Sequence, residues 1–157
     1  MTPQLAQTIL RLRRLLLGIL LLGMLGLGTE LLLLRHHEDF WQWIPLALIG
    51  LALAACLWHL IRPNPANVRA LQVVMALFVV AGLLGVGLHY RASMEFQLES
   101  GTTPAGWELF WKALHAKVPP ALAPAAMAQL GLLGLIYTYR HHSLIAPSSN
   151  SGQTEQN

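Results

Sequence analysis

The chain has 157 residues, of which 55% are hydrophobic and only 11% are charged. An average soluble domain carries about 25% charged residues, so this composition excludes an ordinary soluble globular protein. The formal net charge of +3 does not indicate a nucleic-acid partner, because the basic residues lie beside apolar stretches, where cations fix the orientation of membrane spans. Residues 1–146 therefore predict one small membrane domain that binds no nucleic acid.

Four apolar stretches are each about long enough to cross a hydrocarbon core of roughly 30 Å. They cover approximately residues 15–34, 44–61, 70–89 and 119–139. The first stretch is longer than the apolar region of about 7–15 residues in a secretory signal, so we expect its helix to be retained. The sequence thus predicts an all-α integral membrane protein, a four-transmembrane-helix bundle with up-and-down topology.

The connection between the third and fourth spans has a helical pattern of its own. Apolar residues recur there at helical spacing, namely Trp107, Phe110, Trp111 and Leu114. This pattern predicts a short amphipathic helix that lies in the membrane interface. Before it, residues 94–99 alternate between apolar and polar, which fits either a strand or a continuation of the third helix. At the end of the chain, residues 147–157 are rich in small polar residues and predict a disordered tail.

Glycine clusters in three of the spans predict close helix packing, because small residues let helix backbones approach each other in lipid. The predicted packing positions are Gly23, Gly26, Gly28, Gly82, Gly85, Gly87, Gly131 and Gly134. The strings GMLGLG in the first span and GLLGVG in the third have the same spacing. That match fits a duplicated helical hairpin, but it also fits the general frequency of glycine in membrane helices.

Aligning the two glycine strings places Glu30 and His89 at equivalent positions near the outer end of the bundle. An acid and an imidazole at one depth predict a hydrogen-bonded pair, which would lower the cost of burying either group. A wider set of candidate metal ligands lies at this end, namely Glu30, His37, His89, Glu95 and His115. No two of them form a recognised motif, so a solvated surface is the simplest interpretation. The alternatives are a divalent-metal site, a haem b ligand at His89, and a proton-relay or quinone-facing site.

Three other polar features lie within or beside the spans. Cys56 and His59 share one face of the second span, but a single pair of ligands does not make a metal site. His141, which follows Arg140, is expected to anchor the chain at the interface. Gln129, near the middle of the fourth span, is expected to hydrogen-bond a neighbouring helix.

The arginine distribution predicts that both termini are cytoplasmic, in the plasma membrane of a bacterium. The sequence contains no phosphate-binding loop, metalloprotease motif or serine-hydrolase elbow. The leading hypothesis is a non-enzymatic accessory, assembly or scaffold subunit without a cofactor, which contacts lipid and other membrane proteins or a second copy of itself. The alternative is a small redox or metal-handling protein that uses the histidines and carboxylates near Glu30.

Overall fold

A computed structural model describes residues 2–35, 40–99, 106–108, 111, 122–141 and 144. The main helices are α1 (Pro3–Leu33), α2 (Trp43–Ile61), α3 (Pro65–Glu99) and α4 (Leu122–Thr138), with a 3-10 turn at Phe40–Gln42. No strand occurs among the described residues. The prediction of an all-α fold is therefore confirmed for this part of the chain.

Three segments are long and apolar enough to cross a membrane, and they are Pro3–Leu33, Phe40–Ile61 and Pro65–Phe96. The fourth helix, α4, has 17 residues and contains no charged side chain. The predicted start of its span, near residue 119, lies outside the described residues. Three long apolar helices and a shorter one fit a helical membrane bundle.

Two helices extend beyond the predicted spans. α1 begins at Pro3 because proline suits the first turn of a helix and no helix-breaking residue follows before the apolar run. α3 continues through residues 94–99, so this segment is helical and not a strand. Arg91 Nε donates to Glu95 Oε1 at 2.9 Å, one turn along the helix, and such pairs stabilise helical structure.

The helices pack in the order α2, α3, α4, α1. α3 and α4 form the most extensive pair, α1 packs on α4, and α2 packs on α3. α1 contacts α2 more sparingly, and α1 and α3 are not neighbours in the described part of the chain. Hydrogen bonds join Arg13 to the end of α4, whereas Gly23 faces Leu130 near its middle, so α1 and α4 are antiparallel. We call the end with Arg13 and Tyr137 the terminal end, and the end with Leu33 the loop end.

Large apolar side chains fill the centre of the bundle and also cover its outside. The central side chains with no exposed surface include Leu20, Met24, Leu71, Met75 and Phe78. Outward-facing leucines also occur along both α1 and α3, as at Leu22, which is 73% exposed. A helix that is hydrophobic on all faces requires an apolar environment around the bundle as well as inside it.

Glycines account for the close approach of α3 and α4. Gly82 and Gly131 are buried at the crossing of these helices. A Cβ atom added to Gly82 would lie 2.6 Å from the carbonyl oxygen of Pro124. A Cβ added to Gly131 would lie 2.7 Å from the carbonyl oxygen of Met75, whose side chain packs against Gly134. Any larger residue would force the two backbones apart.

The remaining predicted packing glycines have mixed surroundings. Three of them each face one side chain of a neighbouring helix: Gly23 faces Leu130, Gly28 faces Ile49, and Gly85 faces Pro124. By contrast, a Cβ added to Gly26 or Gly87 would have no described atom within 4 Å outside its own helix backbone and chain neighbours. Equivalent glycines of the two similar strings therefore do not share equivalent contacts.

Candidate functional site

Polar side chains from distant parts of the sequence meet at the terminal end. His59 of α2 and Tyr137 of α4 are both buried, and the distance from His59 Nε2 to the Tyr137 hydroxyl oxygen is 3.0 Å. The ring of His141 lies edge-on to His59, with 4.9 Å between ring centroids. Together with Arg13, these residues form what we call the terminal cluster.

Arg13 joins α1 to the end of α4. Its Nη1 donates to the carbonyl of Tyr137 at 3.1 Å, and its Nη2 donates to the carbonyls of Tyr139 at 3.0 Å and Arg140 at 3.2 Å. The last carbonyls of a helix have no partner within the helix and carry partial negative charge. Arg13 therefore caps α4 from another helix.

The chain reverses direction after α4. Arg140 has a φ of 46°, the left-handed conformation that often ends a helix and that glycine adopts most easily. The backbone N–H of His141 then donates to the carbonyl of Thr138 at 3.2 Å, and the His141 side chain is only 3% exposed. The prediction that His141 anchors the chain at the interface is wrong, because this turn folds the residue back over the cluster.

Hydrogen bonds stabilise the short connection between α2 and α3 at the end of α2 and at the start of α3. Asn64 Oδ1 accepts a hydrogen bond from the backbone N–H of Asn67 at 2.9 Å, as an N-cap residue does, and Pro65 occupies the first position of α3. The buried Asn67 side chain donates to the carbonyls of Trp58 and Arg62 near the end of α2. Both helix ends at this turn thus have polar partners.

The hydrogen bonds of the terminal cluster connect helices. Cys56 is a buried free thiol one turn from His59. Within the described ranges, no three His, Cys, Asp or Glu side chains lie close enough together to hold a metal ion. The hydrogen bonds of Arg13, and the contact between His59 and Tyr137, link α1, α2 and α4. We therefore interpret the terminal cluster as a structural feature that holds these helices together.

A groove lies between α1 and α4 on the outside of the bundle. It encloses about 490 Å³, and its lining includes Ile19, Gly23, Leu27 and Glu30 of α1 and Gln129 and Leu133 of α4. Leu130 packs over Gly23 in the same groove. Glu30 and Gln129 are exposed, and neither side chain makes a hydrogen bond or an ion pair with the described part of the chain. We call this feature the α1/α4 groove.

The position of Glu30 along the bundle follows from its neighbours. Gly28 faces Ile49, so Glu30 lies about level with residues 46–48 of the antiparallel α2. Trp43, at the start of α2, is about one turn further toward the loop end and is exposed, like Phe40 and Trp41. Such aromatic residues typically mark a membrane interface. Glu30 therefore lies closer to the middle of the bundle than these aromatic residues, and leucines follow it at Leu31–Leu34.

The described residues of the predicted outer site are not gathered into one group. Glu30 faces the α1/α4 groove, whereas His89 is half-buried on α3, which is not a neighbour of α1. Glu95 is exposed and bonds Arg91. His37 and His115 lie outside the described residues. The Glu30 and His89 side chains are not paired in this structure, because the diagonal arrangement of α1 and α3 separates them.

Part of the predicted amphipathic helix is described. Trp107, Glu108 and Trp111 have helical backbone and are exposed. The rings of Trp107 and Trp111 pack edge to face with 5.5 Å between centroids, as residues four apart on a helix do. Phe110 and Leu114 lie outside the described residues, so the full helix stays a prediction.

Comparison of the chain with protein-family models, with curated protein sequences and with solved structures found no match. The features of this chain that bear on its function are therefore the α1/α4 groove and the terminal cluster.

Proposed function

We propose that the protein is a non-enzymatic accessory or assembly subunit that binds a helix of another membrane protein in the α1/α4 groove. The observation that carries this proposal is the exposure of Glu30 and Gln129 in a groove that is otherwise apolar. Glutamine side chains hydrogen-bond across membrane helices, and a glutamate within a membrane almost always faces other helices or a water-filled cavity and takes a partner there.

Exposure of Glu30 to lipid would be unfavourable. Insertion scales assign roughly 2.5–3.5 kcal/mol to a charged residue such as Asp at the centre of a membrane helix, and less toward its end. A docked helix would remove the carboxylate from lipid and give it a hydrogen-bond donor. Gly26 lies one turn before Glu30 on the same face, where its open surface would let a partner backbone approach closely.

The buried polar groups of the terminal cluster support a structural role. The hydrogen bonds of Arg13, and the contact between His59 and Tyr137, connect one helix with another. The Asn67 side chain spans the turn between α2 and α3. These contacts would hold α1 against α4 and so stabilise one conformation of the groove for a partner.

We further propose that all four helices cross the inner membrane of a bacterium with both termini in the cytoplasm. The distribution of arginine supports this orientation, because cytoplasmic flanks are enriched in Lys and Arg. The described arginines at the terminal end are Arg11, Arg13, Arg14, Arg62, Arg69 and Arg140. Those at the loop end are Arg35 and Arg91, and the sequence between the third and fourth spans adds Lys112 and Lys117.

Site-specific photo-crosslinking in native membranes tests the proposed docking. A photoreactive residue at Leu132, which lines the groove and is 53% exposed, should form a discrete adduct with a membrane protein. The matched control is Leu83 on α3, which is 63% exposed and outside the groove. The adduct should disappear in Glu30→Leu. Labelling of lipid alone, or equal adducts from both positions, would contradict the proposal.

The redox or metal-handling alternative makes a separate prediction. Detergent-purified protein would then contain haem or a divalent metal in stoichiometric amount. An optical spectrum with and without reductant, together with elemental analysis, measures this content. Stoichiometric haem or metal would overturn the accessory-subunit proposal.

A further inference from the structure

We propose that the helix bound in the α1/α4 groove carries a basic side chain, most favourably arginine, that pairs with Glu30. This inference depends on the proposed function, because it specifies the chemistry of the helix that the groove receives.

The charge in the groove is unbalanced. Glu30 is the single charged residue among those that line the groove in the described part of the chain. The ion pair between Arg91 and Glu95 belongs to α3, which does not contact α1. A carboxylate in apolar surroundings favours an opposite charge, since desolvation strengthens the attraction and removes water as an alternative partner.

Helix direction brings the two polar groups of the groove toward each other. Side chains of a helix lean toward its N-terminus. Because α1 and α4 are antiparallel, Glu30 and Gln129 lean toward each other along the groove. Gln129 lies at about the same height along the bundle as Gly23, because the next residue, Leu130, packs against Gly23. The backbones of Glu30 and Gln129 are therefore about 10 Å apart along the axis, at 1.5 Å per residue.

An arginine inserted between these groups could satisfy both. Its guanidinium has five donors in a planar fork, which suits a carboxylate and an additional amide oxygen. The carboxylate of Glu30 would accept two donors, and the carbonyl oxygen of Gln129 would accept another. Lysine would neutralise Glu30 but has a compact ammonium group without that fork.

A second copy of this chain is a poorer occupant. Closed dimers have a two-fold axis, and an axis along the membrane normal keeps each residue at its own depth. Two Glu30 carboxylates would then face each other across the interface and repel. Of the described arginines near the loop end, Arg91 already bonds Glu95. Arg35 follows the end of α1, about at the level of Trp43, and so lies beyond the level of Glu30. Charge complementarity therefore favours a different, basic helix.

A synthetic transmembrane peptide provides the test. We would reconstitute the full-length protein in phosphatidylcholine vesicles with a leucine and alanine helix that carries one arginine at the depth of Glu30. Energy transfer between labels on the two chains measures binding. The matched peptides have leucine or glutamate at that position, or have the arginine two turns deeper. Binding of the first peptide should be saturable and about tenfold tighter than that of the others.

Variants of the protein give the reciprocal test. Glu30→Gln should lower affinity for the arginine peptide to that of the leucine peptide, and Glu30→Arg should restore binding to the glutamate peptide. Glu30 is exposed, and unchanged thermal unfolding of both variants would show that the bundle is intact. Equal binding of all peptides would overturn the basic-partner inference.

The crosslinking experiment separates the two proposals. If Leu132 forms a Glu30-dependent adduct with a membrane protein but the arginine peptide has no advantage, the basic-partner inference fails and the proposed function stands. An adduct with a second copy of this chain also overturns the inference. If Leu132 labels only lipid and no peptide binds, both proposals fail.

Discussion

Arg13 differs from its neighbours in what it contacts, although Arg11, Arg13 and Arg14 are alike as sequence features. Its guanidinium caps the end of α4, whereas Arg11 and Arg14 are exposed. Hydropathy and charge predict that arginines flank this span, but they cannot show which arginine faces a helix whose end is about 125 residues away. Arg13 contacts α4 because it lies on the side of α1 that faces α4. That side is determined only when the helices pack.

We expect Arg13→Ala to lower the free energy of unfolding by about 1–2 kcal/mol, because hydrogen bonds from a charged donor to helix carbonyls are lost. Unfolding in mixed detergent micelles measures the change. The matched control, Arg14→Ala, removes an exposed arginine and should alter stability by less than about 0.5 kcal/mol. Equal losses in both variants would mean that net charge, and not capping, is responsible.

At the scale of the helices, glycines that look equivalent in the sequence have different roles. Gly82 lies where a Cβ would meet backbone atoms of α4, while Gly26 faces open space. The spacing of glycines predicts that some helices pack closely, and Gly82 and Gly131 lie at the contact between α3 and α4. Spacing alone cannot assign a partner to each glycine, since the partner depends on the rotation of each helix about its own axis.

These surroundings predict different outcomes for matched substitutions. Gly82→Leu should destabilise the bundle by about 1–3 kcal/mol or more, since overpacking would displace the backbone of α4. Gly26→Leu should leave thermal unfolding in detergent unchanged, yet it should weaken the Leu132 crosslink in native membranes. Comparable destabilisation by both substitutions would show that Gly26 lies at a contact within the bundle.

At the scale of the whole molecule, the long apolar runs predict a helical membrane bundle, and three long apolar helices with a shorter one fit that prediction. Element boundaries were less predictable. α1 and α3 continue as helix into polar sequence at Pro3 and through residues 94–99, because intrahelical hydrogen bonds and pairs such as Arg91 with Glu95 do not require an apolar environment. The pairing of Glu30 with His89 was predicted from matching positions along two helices. Position along a helix does not specify which face of that helix meets a neighbour.

Both termini are expected in the cytoplasm, and alkaline phosphatase fusions measure this orientation. The phosphatase should be inactive when fused to the C-terminus, since the enzyme needs an oxidising compartment to form its disulfides. A fusion after Arg35, at the loop end, should be active. Activity of the C-terminal fusion would reverse the proposed orientation.

The bond between Arg13 and the carbonyl of Tyr137 also has a consequence for biosynthesis. The two residues are 124 positions apart, so α1 is synthesised well before α4, and Arg13 cannot reach these carbonyls until α4 has been made. In the interval α1 has only its sparse contact with α2. Membrane helices insert individually and then associate, so the arrival of α4 is the step that closes the bundle and creates the groove. A chain truncated before α4 would therefore insert without acquiring the surface through which we propose it binds.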